Sequence, residues 1–353
     1  MKIAEIDKNF ALTSDLIPED AKWYDVKDVP FSVHGLWKAQ KGEYFLRMPE
    51  KVAESVSNGV ATLNFCTAGA RVRFKTDSPY IAIKALMPHC DRMSNITPTG
   101  QSGFDLYQSD CGTYAYVGSF RPRIDCDDLD GFCQTDGKMH TYTINMPLYH
   151  RVKELYVAVS PDSHLETAEE YAPIKPVLYY GSSITQGGCA SRPGNAYQAM
   201  ISRKLNADFI NLGFSGNARA EDKMIEYLCS LDASVFVCDY DHNAPDSEYL
   251  KSTHYKLFSA YRRAHPKTPV VLVSKPDFWG RDEDIKRRAV VLETYERAVA
   301  DGDKNVFFVD GAHIFDGEFS DSCTVDKCHP NDLGFYRMAM AIGDAVEKAL
   351  ALI

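Results

Sequence analysis

The sequence predicts a chain in two unlike parts: an all-β sandwich of jelly-roll type over residues 1–165, then a three-layer α/β/α domain with a parallel sheet over residues 172–353. Three observations carry this. Hydrophobicity alternates with a period of two between Val60 and Ser160. From Val177 onward, short apolar runs alternate with helix-length stretches. Between the two lies a polar segment ending in Pro173 and Pro176, which reads as a linker.

Up to Lys51, Pro18, Pro30 and Pro49 interrupt short apolar pieces such as residues 31–37, expected to be edge segments or arms on a neighbouring core. The alternating runs are 71–75, 80–86, 114–117, 140–145 and 155–159, the pattern of antiparallel strands with one face buried and one solvated. Asp128-Leu129-Asp130-Gly131 reads as a turn cluster between them. In the second part, strands are expected at 177–180, 209–212, 234–240, 269–274 and 306–309. Helices are expected at 197–205, 221–231, 247–265, 284–300 and 332–350. Strand and helix in alternation predict a parallel sheet covered on both faces, with ligands at the carboxyl ends of its strands.

Composition sets the outer limits. With 45% hydrophobic and 25% charged residues the chain has a globular make-up, and no run approaches the ~20 apolar residues of a membrane span. The first eight residues carry Glu5 and Asp7 where a signal peptide has its apolar core, so no secretion signal and a cytoplasmic location are expected. The net charge of -10, from 39 basic and 49 acidic residues without a dense Lys/Arg run, argues against nucleic acid and against long-range attraction of acidic substrates. Ten scattered cysteines without a framework spacing read as reduced thiols, mostly buried. Cys323-x4-Cys328-His329 lacks a second ligand pair, so no metal is expected there.

Chemistry concentrates at Gly181-Ser182-Ser183-Ile184-Thr185, where the first apolar strand of the second part stops. Ser183 lies just past that strand and needs a base to act as a nucleophile. Ser215, in Gly213-Phe214-Ser215-Gly216, competes, and neither serine sits in a full G-x-S-x-G elbow. The candidate base is His329, in Asp326-Lys327-Cys328-His329-Pro330-Asn331, ahead of the last helix. Asp326 can fold back to accept the other imidazole N–H and fix its tautomer. Acyl transfer also needs donors aimed at the developing oxyanion. The N–H of Ser183, the N–H of Gly213 and the side-chain amide of Asn243 are the candidates, Asn243 having the plainer alternative of a turn residue ahead of Pro245.

These four pieces stand in the order and spacing of the SGNH (GDSL-like) hydrolase superfamily, which the chain resembles from about Pro176 onward. The resemblance implies Ser183 as nucleophile, Gly213 and Asn243 as oxyanion donors with the Ser183 N–H, and Asp326/His329 as charge partner and base, and it demotes Ser215. Ser182 stands where the usual Gly-Asp-Ser has its acid, and the usual Gly-x-Asn-Asp tetrad is missing around Asn243. With Ser102-Gly103-Phe104-Asp105-Leu106-Tyr107 upstream, the chain is similar to the two-domain subgroup with an N-terminal GxDLY sandwich, an architecture shared with carbohydrate acetyl esterases. That implies a serine esterase without metal or organic cofactor, hydrolysing small O-acyl esters, above all O-acetyl groups, on a small molecule or oligosaccharide. A thioesterase or lysophospholipase, and a non-catalytic carbohydrate-binding protein with a vestigial hydrolase domain, are the alternatives. Arg192, close after the nucleophile, is expected at the pocket rim, holding a substrate oxygen or a neighbouring carboxylate; a surface salt bridge is the plainer reading. Asp105 and Tyr107 are expected to tie the sandwich to the catalytic domain.

Overall fold

The computed structural model describes residues 6–7, 11–123 and 126–353. Of the octapeptide weighed above for a secretion signal, residues 1–5 and 8 lie outside the described residues. Among the described residues no helix is long and apolar enough to cross a membrane.

The second part builds the parallel sheet. Its strands are β11 (Val177–Gly181), β12 (Phe209–Gly213), β13 (Val235–Asp239), β14 (Val270–Val273) and β15 (Val306–Val309), side by side in the order β12-β11-β13-β14-β15. The helices between and after them are α4 (Ser183–Gln186), α5 (Tyr197–Leu205), α6 (Asp222–Cys229), α7 (Ser247–Ala264), α8 (Asp282–Ala300) and α9 (Asp332–Leu350). All five residues of β11 are buried because both faces are covered. Val177 and Tyr179 pack with α5 and α9 through Tyr197, Ile201, Phe335, Met338 and Ile342. Leu178 and Tyr180 pack on the other side with Met224, Leu250, Leu257 and Val291 of α6–α8. The strand order reverses direction at β11, the switch point at whose carboxyl end open parallel sheets bind ligands.

The first part consists of two antiparallel sheets. Its strands are β1 (Lys22–Asp25), β2 (Ser32–His34), β3 (Arg71–Thr76), β4 (Tyr80–Leu86), β5 (Phe104–Asp110), β6 (Thr113–Phe120), β7 (Leu129–Gln134), β8 (His140–Asn145), β9 (Glu154–Val159) and β10 (Leu165–Glu166). One sheet runs β1-β9-β4-β7; the other runs β10-β3-β8-β5-β6, with β2 also on β3. Phe74, Ile81, Ile83, Leu106, Ile144 and Val157 fill the space between them. Three short helices, α1 (Glu50–Val56), α2 (Asn58–Leu63) and α3 (Pro98–Ser102), leave the sandwich toward the parallel sheet.

Two expectations change here. The turn cluster at Asp128–Gly131 is largely strand: β7 pairs with β4 in the register Ala85↔Leu129, because Leu129, Gly131 and Cys133 are a period-two buried set with Asp130 on the other face. Nor is the second face of the larger sheet solvated at β3 and β8. β8 is buried at every residue and β3 at all but one, because their polar positions face the parallel-sheet half. The Arg71 guanidinium pairs with Asp208 and donates to the Phe209 carbonyl (3.1 Å), and Asn145 Nδ2 donates to Asp105 Oδ1 (2.7 Å).

Candidate active site

Ser183 opens α4 immediately after β11. Ser182, at the position of the missing acid, caps this helix: its hydroxyl accepts the Ile184 N–H at 3.2 Å, a task Asp and Ser perform equally well. Among the described residues the Ser183 N–H has no acceptor, as expected at the first position of a helix. The Ser183 hydroxyl lies 2.9 Å from His329 Nε2. His329 Nδ1 lies 2.8 Å from Asp326 Oδ2, so the three residues form one unbroken chain of hydrogen bonds although 146 positions separate the serine from the histidine.

A tight loop holds the acid. Lys327 takes a left-handed backbone conformation (φ 62°), and Asp326 Oδ1 accepts the N–H groups of Cys328 (3.2 Å) and His329 (2.8 Å). The Val325 N–H donates to the His329 carbonyl (2.9 Å), and Asn331 then caps α9 by accepting from Leu333 and Gly334. Burial pushes the Asp326 carboxyl up, but the His329 N–H, the Asn95 amide and the imidazole outweigh it and hold the pKa at about 2. Asp326 is therefore an anion throughout the working range and keeps the imidazole's Nε2 turned to Ser183 as a proton acceptor. Cys189 has a ligand atom within 4.8 Å of those of Asp326 and His329, but burial lifts its thiol to about 12, so it stays protonated beside the triad.

After β13, Asp241–Asn243 forms one 3-10 turn. The amide oxygen of Asn243 accepts the Ala218 N–H (3.3 Å), which orients the amide and leaves its Nδ2 without an acceptor among the described residues.

Residues 174–349 match the GDSL-like lipase/acylhydrolase family, and residues 21–165 match the N-terminus of the SGNH-hydrolase-type esterases, the GxDLY unit. The chain belongs to the GDSL-like acylhydrolases. Among solved structures, a GDSL-like lipase of inferred function from Bacteroides ovatus is similar at 28% identity, with a TM-score of 0.84 over 94% of this chain and 98% of that one. A salicylyl-acyltransferase from a tetracycline biosynthetic pathway (19% identity, TM-score 0.73, 95% and 98% covered) and a family two carbohydrate esterase from Cellvibrio japonicus (13%, 0.62, 94% and 98%) share the fold. No curated protein matches.

Within this GDSL-like fold, one sequence assignment is corrected. The Gly213 N–H is not available to a substrate, because it donates to Asn211 Oδ1 at 2.8 Å. Gly213 is a glycine for steric reasons: a Cβ there would sit 2.2 Å from the Gln186 nitrogen, so this residue lets β12 pack directly against α4. Three residues on, Gly216 takes φ +68° with open space around its Cβ position, and its N–H has no acceptor among the described residues. The turn that presents it is pinned beside α4, where the Ser215 N–H donates to Gln186 Oε1 (3.0 Å). That bond also ties down the competing serine.

Arg192 holds one of its two expected partners, the neighbouring carboxylate. Its Nη1 donates to Asp105 Oδ2 (2.8 Å) and to the Tyr107 hydroxyl (2.5 Å), and the guanidinium stacks over Tyr116 at 4.1 Å. The neighbouring carboxylate is therefore its partner, across the boundary between the two parts. Asp105 is fully buried and also accepts from Gly194 N (2.8 Å) and Asn145 Nδ2 (2.7 Å). The Asp and Tyr of the Gly103–Tyr107 motif are thus the sandwich side of a latch.

Three contributors escape sequence reasoning. Asn95, from the loop before α3, donates its Nδ2 to Asp326 Oδ2 at 3.0 Å. Tyr149, just after β8, donates its hydroxyl to the Ser183 carbonyl at 3.0 Å. Arg47, fully buried, donates to the carbonyls of Gly213 (2.6 Å) and Leu63 (2.5 Å) and stacks on Phe214. Burial lowers its pKa to about 10, so it remains a cation. All three come from the first part of the chain, and no period or motif marks them.

Proposed function

We propose that the protein is a serine esterase that removes small acyl groups, acetyl above all, from hydroxyls of a carbohydrate. The observation that carries this is the continuous relay from Asp326 through His329 to Ser183, with 2.8 and 2.9 Å links. Ser183 Oγ attacks the ester carbonyl carbon while its proton passes to His329 Nε2. The tetrahedral oxyanion is met by the N–H groups of Ser183 and Gly216 and by Asn243 Nδ2. Collapse breaks the bond to the alkoxy oxygen, which leaves as the alcohol with the proton from His329. Water then attacks the acyl-serine, gives a proton to His329 and releases the carboxylic acid and the free serine.

The substrate class is supported by openness. His329 and Asp326 expose 24% and 33% of their side chains, which suits a small acyl group on a bulky hydrated alcohol better than a long chain needing an apolar tunnel. The shared fold with carbohydrate esterases points the same way. Ser183→Ala is expected to lower turnover of 4-nitrophenyl acetate roughly ten-thousandfold or more and to abolish fluorophosphonate labelling, with circular dichroism unchanged. Retained turnover would refute the mechanism. Release of acetate from acetylated xylan and cellulose oligosaccharides, followed by NMR, tests the substrate class separately.

A further inference from the structure

Beside the oxyanion turn, but not part of the triad, lies a group of buried side-chain atoms that lack a hydrogen-bond partner among the described residues. It comprises Asp239 Oδ1, Asp241 Oδ1 and both ring nitrogens of His242; Asp277 Oδ2, from the loop after β14, is unpartnered too. Asp239 and Asp241 expose 0% and 1% of their surface, and the His242 side chain exposes 7%. One ligand atom from each of Asp239, Asp241 and His242 falls within 4.8 Å of the others.

We propose that Asp239, Asp241 and His242 form a binding site for a single divalent transition-metal ion of the Mn2+ or Zn2+ class, at the carboxyl end of β13. Each carboxylate is held by one oxygen and bare at the other. Asp239 Oδ2 accepts from Thr185 Oγ1 (3.1 Å) and the Tyr197 hydroxyl (3.3 Å), and Asp241 Oδ2 accepts from the Lys275 N–H (3.0 Å). Anchoring one oxygen while the other stays free is how outer hydrogen bonds orient metal-binding carboxylates. Two carboxylates and an imidazole are a borderline donor set, which selects a transition ion over Mg2+ or Ca2+.

Among the described residues no Lys or Arg side chain neutralises the pair. Lys275 Nζ is engaged with Asp284 at 3.2 Å. Arg287 donates to the backbone carbonyls of Asp241 and Ala244 and pairs with Glu283. His254 is kept neutral by burial, which pushes its pKa down to about 4, and its Nδ1 lies 2.8 Å from Thr294 Oγ1. His242 Nδ1 and Asp241 Oδ1 are 3.5 Å apart, too far for a good hydrogen bond. Two buried carboxylates in this setting need a cation or a proton. Burial, and then the charge of Asp241, push the Asp239 carboxyl well up, so protonation is the rival account. Asn243 follows His242 directly, so the ion would stiffen the turn that carries the oxyanion amide without touching substrate.

The test uses the full chain, stripped with EDTA and titrated with MnCl2, with free Mn2+ followed by EPR and stability by Tm. Mn2+ is chosen because the free thiols and the Cys189–Asp326–His329 group prefer Zn2+. Saturable uptake of one ion with a raised Tm is expected. His242→Gln and Asp241→Asn should weaken it by more than about tenfold, and His329→Ala should leave it unchanged. The proposal is overturned if the wild-type chain shows no saturable uptake and no Tm change at millimolar Mn2+. It is also overturned if uptake survives both His242→Gln and Asp241→Asn. The wild-type titration decides even if a variant fails to fold.

Discussion

At the scale of single residues, the triad's acid is set by its donors rather than by its surroundings at large. Asn95 supplies one of them across 231 positions of sequence. Asn95→Ala is expected to lower kcat roughly tenfold, the rate equivalent of losing a charge-assisted hydrogen bond of about 1.5 kcal/mol, with KM little changed. Asn95→Asp should be worse, since it sets a second anion beside Asp326. The pH dependence has a definite sign. Asp326 has a depressed pKa, so its contribution to stability is complete above the ordinary value of 3.8 and is lost as pH falls through about 2. Removing Asn95 raises the lower edge of that window. The Tm deficit of Asn95→Ala should therefore be constant above pH ~4 and shrink toward pH ~2. Ser183, Asp326 and His329 are legible in the sequence because each follows a strand in a chain whose alternation announces a parallel sheet. The choice between Gly213 and Gly216 is not legible. Both glycines sit in one block, and only the fold reveals that one N–H is spent on Asn211 while the other has no acceptor among the described residues.

At the scale of elements, the glycine block after β12 is braced from below by Arg47, whose guanidinium serves carbonyls at Gly213 and Leu63. Arg47→Ala leaves those acceptors buried and unpaired, at a cost of about 3 kcal/mol. The expected result is a lower urea midpoint, together with a fall in kcat as the Phe214–Gly216 turn loosens. Arg47→Lys should recover only part of both, since an ammonium cannot span the same fork. Element boundaries in the parallel sheet are readable to within one or two residues, as at β13 and β14, because apolar runs buried on both faces are unambiguous. β7 is not readable that way. Its Asp128-Leu129-Asp130-Gly131 start has the composition of a turn, and only pairing with β4 reveals the buried alternation.

For the whole molecule, the two parts are one catalytic unit. The sandwich contributes Asn95 and Tyr149 to the site and Asp105 to the latch. Arg192→Ala strips a fully buried carboxylate of its cation and should cost about 3 kcal/mol. The variant should become more open to proteolysis between residues 160 and 176 and lose activity on every ester, which separates a latch from a substrate contact. A double-mutant cycle with Asp105→Asn should show strong coupling between the two positions.

The docking face of the sandwich is lined with Arg71, Arg73, Asp105, Thr141, Thr143 and Asn145, all buried in the finished protein. On the ribosome this face emerges first and waits for its other half through on the order of 10 to 40 seconds of synthesis. A greasy face would spend that interval as a magnet for other nascent chains. A face of guanidinium, carboxylate, hydroxyl and amide groups spends it hydrated, and sheds that water only when Asp208, Arg192 and Gly194 arrive to replace it.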